Sequence, residues 1–181
     1  AVSTTAWLSL LNRLIRTRRL FYSQFNLMKN PQQQIESLKS IVREIAKSLA
    51  SNNDAAVEIA QLEDLSSQFS LTNVDYLESL MRNEYSDAMY FVSDLTWQPR
   101  KQPDRAPKWI DLCNHDGFKR EKILRSSIRP VPNSCFFILA IRRLNDWLPQ
   151  VRKAARDCLP EIVQEADLEH STAALIATLP Y

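Results

Sequence analysis

Glycine is almost missing from this chain: among 181 residues there is one, Gly117. Hairpin turns and strand bulges draw on glycine, and dinucleotide or phosphate loops need several glycines close together. Sheet-rich folds and nucleotide loops are therefore poor fits. Helix-to-helix connections manage with Asn, Asp, Ser and Pro, all of which are plentiful here. Cysteine is scarce as well, with only Cys113, Cys135 and Cys158. An odd, sparse count does not suggest a disulfide framework. Cys135 and Cys158 fall in apolar helical patterns and read as buried free thiols, which fits a reducing, cytoplasmic setting. No apolar run approaches the ~20 residues of a membrane span. Acidic residues are absent before Glu36, where Arg13, Arg16, Arg18, Arg19 and Lys29 are basic. Such a start reads either as a packed first helix with a solvated basic face or as an organelle transit peptide. Arg13 and Arg16 interrupt the apolar stretch that a secretory signal requires.

What is present points to helices. Hydrophobic residues make up 45% and the net charge is only +2, a composition that supports a packed core rather than disorder. Trp7, Leu10, Leu11, Leu14 and Ile15, then Phe21, Phe25 and Met28, form one apolar stripe ended by Asn30-Pro31. Ile35, Leu38, Ile41, Val42, Ile45 and Leu49 form another. The turn Ser51–Asp54 leads into a helix carrying Val57, Ala60, Leu62, Leu65 and Phe69. Thr72 and Asp75 stand at capping-box spacing ahead of Leu77, Leu80, Met81 and Tyr85, with a bend or break expected near Asn83. Residues 98–108, with three prolines and four basic residues, cannot pack as a helix. They are either a linker between an N-terminal helical bundle (1–97) and a second half (109–181), or a surface loop within one domain.

Beyond that segment, WIDLCNHDG reads as a short helix or turn with Gly117 as a C-cap candidate. Two basic amphipathic helices, GFKREKILRSSI and LPQVRKAARDCL, superimpose at an offset of 31 residues, and each leads to an apolar helix. Pro149 suits a first helical position, and Pro160 is expected to interrupt the second helix. A recurrence of this size is what a helical solenoid shows. The stretch DWLPQVRKAARDCL resembles the second helix of a HEAT repeat. Asp146 stands ahead of the helix, followed by Val151-Arg152, the small pair Ala154-Ala155, and Leu159. KREKIL is a looser second copy. The resemblance covers about residues 108–181. It implies an all-α fold in which a helical bundle leads into short HEAT-like hairpins, an α-solenoid. It also implies structural roles for Asp146 and Arg152, because the Asp and Arg of that family commonly bridge adjacent repeats. Small alanines at such a seam let helices approach at the short end of the usual 8–10 Å spacing.

Catalytic and metal signals are weak. Cys113 and His115 lack a second ligand pair and lack an orienting partner for nucleophilic chemistry. No phosphate loop, hydrolase elbow or paired-carboxylate motif is present. No metal, cofactor or enzymatic activity is expected. Charge is more informative. Residues 51–96 carry nine acidic residues and one basic, and residues 97–156 carry fourteen basic and five acidic. The basic half reads as a surface for a protein partner of opposite charge, with Arg120, Lys122, Arg142, Arg143, Lys153 and Arg156 as contact candidates. Among small helical binders, a bacterial immunity protein that neutralises a toxin is the favoured form. The alternative is a nucleic-acid surface. Some HEAT-like proteins are DNA alkylation repair glycosylases, and Trp97, Trp109 and Trp147 offer stacking rings.

Overall fold

The computed structural model describes residues 31–51, 53–94, 106–126, 130–169 and 171–173. The stripe expected before Asn30, the transit-peptide reading, Trp97 and most of 98–108 lie outside them. The chain divides into two compact units, Ala1–Ile35 and Glu36–Tyr181. Only residues 31–35 of the first are described, and all other described residues belong to the second. The segments on both sides of 98–108 are part of that one unit.

The fold is all-α, and the described residues contain no strand. The main helices are α1 (Pro31–Ala50), α2 (Ala56–Ser67), α3 (Val74–Asp94), α4 (Gly117–Arg125), α5 (Ser134–Arg142) and α6 (Pro149–Glu165). Short 3-10 turns occupy Leu71–Asn73, Trp109–Cys113 and Arg143–Asn145. Helix α1 follows its apolar spacing, burying Leu38, Val42, Ile45, Ala46 and Leu49 on one side. Helix α5 is apolar all round. Six consecutive residues, Cys135–Ala140, are buried, as expected of a helix enclosed by others. It touches α2, α3, α6 and the turn Trp109–Cys113. Asn133 fixes its start. Its Oδ1 accepts from Phe136 N at 3.1 Å, while its Nδ2 donates to Glu63 O at 2.7 Å and to Ser66 Oγ at 2.8 Å. One side chain thus caps α5 and ties it to α2.

Four local expectations change. Helix α3 runs unbroken through Asn83, because Met81 and Tyr85 on either side are anchored in the core. The turn before α3 is capped by Ser70, whose side chain accepts from Thr72 N, rather than by Thr72. Helix α6 continues through Pro160 to Glu165. Leu159 and Ile162 are buried on both sides of the proline, and that packing outweighs the lost backbone bond. Gly117 is not a C-cap but the first residue of α4, where the Asp116 carboxylate accepts from Phe118 N at 2.9 Å. Glycine lets the two turns approach closely there. A Cβ at Gly117 would lie 2.0 Å from Leu148 Cδ1.

Candidate interaction surface

Helices α4 and α6 lie side by side. Gly117 meets Leu148 at one end, and Arg125 Nη1 reaches Asp157 Oδ2 at 3.4 Å at the other. Both contacts advance in the same direction along the two helices, so α4 and α6 run parallel. Their leading turns repeat in detail. The Asn114 side chain accepts from Asp116 N at 2.9 Å, and that of Asp146 accepts from Leu148 N at 3.0 Å. Arg120 Nη1 donates back to the carbonyls of Asn114 (2.5 Å) and His115 (2.9 Å). Arg152 Nη1 donates back to those of Asp146 (2.7 Å) and Trp147 (3.1 Å). These pairs stand 32 residues apart, whereas the buried faces match at 31: Ile123 with Ala154, Leu124 with Ala155.

The turns are joined by charge. Arg120 Nε and Nη2 donate to Asp146 Oδ2 (2.9 Å) and Oδ1 (3.0 Å), a bidentate pair out of water. Arg143 Nη1 also reaches Asp146 Oδ2, at 3.2 Å, and its Nη2 reaches Glu78 Oε1 on α3. Glu78 also accepts from Arg142 Nε at 2.9 Å and from Arg82, while Arg142 pairs with Asp75. Arg82 Nε donates to Cys113 O at 3.0 Å. Burial by itself would raise the Asp146 carboxyl. The hydrogen bonds from Arg120 and Leu148 N, with the charges of Arg120 and Arg143, outweigh it and hold the group below its ordinary range. Among the described residues every buried side-chain N or O has a partner.

This network corrects part of the expected contact set. Arg120 and Arg143 are buried at 2% and 5% exposure and are held by carboxylates inside the fold, so they are not surface contacts. Arg142 is half-buried and committed to Glu78 and Asp75. Lys122, Lys153 and Arg156 are exposed, on α4 and α6. Asp146 is buried in the bridge to Arg120, and half-buried Arg152 holds its own leading turn. Trp109 is buried and has no open face for a base. Cys113 and Cys135 are buried free thiols, and Cys158 is a half-buried one. Burial pushes the Cys135 thiol up to about 12 and the Cys113 thiol higher still, far from thiolate chemistry. The described residues hold no His/Cys/Asp/Glu cluster suited to a metal.

Two side chains escaped sequence reasoning. Glu78 lies on the stripe of Val74, Leu77, Met81 and Tyr85, and a lone acid on an apolar stripe was the readable signal. Phe118 lies on the charged face of α4 and is 75% exposed, close to the 74% of Trp147. Phe118 follows Gly117 in the chain and Trp147 precedes Leu148, and Gly117 meets Leu148. Phe118, with Pro107, Glu121, Lys122, Arg125 and Ser126, lines an open groove of about 420 Å³. The exposed residues of α4, of α6 and of the turn ahead of α6 therefore include two aromatic rings together with Lys122, Lys153 and Arg156. No family model matches this chain, and no curated protein or solved structure matches it either. No helix among the described residues is long and apolar enough to cross a membrane.

Proposed function

We propose that this chain is a non-enzymatic, protein-binding helical-repeat module of HEAT-like design, and that its partner sits on the outer face of α4 and α6. The observation that carries the reading is that Phe118 on α4 and Trp147 just ahead of α6 are both left exposed, as are Lys122, Lys153 and Arg156 on those two helices. Large rings left mostly in water add little to the fold, whereas aromatic and arginine side chains are the ones that dominate protein interfaces. The HEAT-like reading is supported by the paired leading turns and by the Arg120–Asp146 bridge between them. The proposed setting is the cytoplasm, where thiols such as Cys113 and Cys135 stay reduced. The narrower form of the proposal is an immunity protein holding one toxin tightly.

A photo-crosslinking residue placed at 118 or 147 of the full chain tests it, with position 76 on the exposed side of α3 as the control. Discrete protein adducts at 118 and 147, resistant to nuclease and absent at 76, are expected. Nuclease-sensitive adducts would favour the nucleic-acid alternative, for which Trp147 is the exposed stacking ring. Adducts equally abundant at all three positions would show that this face has no special role.

A further inference from the structure

We propose that Arg120 is a positioning residue for partner recognition. Through Asp146 it fixes the spacing of the two turns that carry Phe118 and Trp147, so that a partner meets both rings at one separation. The inference rests on those rings being partner contacts. From Asn114 to Glu121 the one buried side chain is that of Arg120, since Gly117, also buried, has none. From Asp146 to Gln150 the one buried side chain is that of Asp146. The buried apolar side chains of the two helices, Ile123 and Leu124 on α4 and Val151, Ala154 and Ala155 on α6, lie beyond these segments. Each leading turn therefore enters the interior by a single charged side chain, and the two are bonded to each other.

The same pair is tied to the backbone beside each ring. Arg120 Nη1 donates to Asn114 O at 2.5 Å and to His115 O at 2.9 Å, and the next residue, Asp116, accepts from Phe118 N at 2.9 Å. Asp146 accepts from Leu148 N at 3.0 Å, and Arg152 Nη1 donates to the carbonyls of Asp146 (2.7 Å) and Trp147 (3.1 Å). Two apolar side chains would cost less to bury than two charges. What the ion pair adds is direction. A guanidinium fork meets a carboxylate in one plane through two parallel bonds, whereas apolar contact is non-directional. A spacing fixed in advance spares the partner the cost of ordering the two turns as it binds.

The test uses the full chain with spin labels on non-natural residues at 118 and 147, a control pair at the exposed positions 57 and 76, and pulsed electron-spin distance measurement. Arg120→Lys keeps the charge but loses the fork. It is expected to widen the 118–147 distribution about twofold, to leave the 57–76 distribution unchanged, and to lower the yield of partner adducts from a photo-crosslinking residue at 147 about fivefold. Leu65→Ala, a packing loss on α2, should leave both the 118–147 width and the adduct yield within twofold of wild type, which separates positioning from mere stability. An unchanged 118–147 distribution in folded Arg120→Lys overturns the proposal. So does a widened distribution with undiminished adducts, or an equal loss of adducts in Leu65→Ala. If Arg120→Lys fails to fold, Asp146→Asn, which keeps the shape but removes the charge, is read by the same criteria, and a broad 118–147 distribution in wild type overturns the proposal by itself. Absence of any protein adduct at 118 and 147 in wild type removes instead the wider reading.

Discussion

Arg142 and Arg143 end helix α5, and Lys153 and Arg156 lie on α6 a few turns later, yet the two pairs have opposite fates. The first pair is drawn onto Glu78, Asp75 and Asp146. The second faces water. Both come from the same basic stretch of sequence, so charge density along a chain does not measure charge at its surface. The acidic middle and the basic second half read as two opposed faces, but part of that opposition is spent inside the fold, where α3 meets the end of α5. A buried carboxylate with several arginines is not itself evidence of stability, because desolvation offsets attraction. What it imposes is a partner for every member, and that requirement ties α3, α4 and α5 to one arrangement.

The comparison is broken most severely at the interior. Asp146→Ala leaves Arg120 and Arg143 buried without their shared carboxylate, and a loss of about 3–5 kcal/mol is expected by denaturant unfolding. A loss below about 1 kcal/mol would show that water compensates and that the interior network resembles the surface after all. Ala155→Leu puts three extra carbons into a fully buried seam, and a loss of about 2–3 kcal/mol in the same measurement is expected.

Acid should act through Asp146. Because Asp146 is held below its ordinary value of 3.8, its folded form binds a proton less readily than its unfolded form. The resulting stabilisation is complete above that value and is lost as pH falls through the lowered native one. Melting temperature measured against pH should therefore fall more steeply below pH ~4 in wild type than in Asp146→Asn. Equal slopes would remove Asp146 from the acid response. Gly117→Ala should cost about 1 kcal/mol through its clash with Leu148, and the cost should vanish in a Leu148→Ala background. At the other extreme, Lys153→Ala with Arg156→Ala should change stability by less than about 0.5 kcal/mol while weakening partner binding.

The sequence showed where apolar spacing was regular: α1 and α3 were legible from Leu38, Val42 and Ile45 and from Leu77, Met81 and Tyr85. It showed poorly where packing overrode local rules. Pro160 and Asn83 both looked like stops, yet each sits in a helix whose buried neighbours hold it. Contact residues were least legible, because Arg120 and Lys122 are two positions apart on α4 and only helix rotation separates a buried ion pair from an exposed cation. Phe118 was readable in principle as an apolar residue out of phase with Ile123 and Leu124.

The near-absence of glycine, the three- and four-residue spacing of apolar side chains, and the recurrence in the second half determined an all-helical chain with two like turns, since these features depend only on neighbours along the backbone. Which arginines lie inside, and that Glu78 gathers three of them, was decided by tertiary structure. Pairing across 64 and 65 residues depends on how helices dock, and no local pattern encodes that.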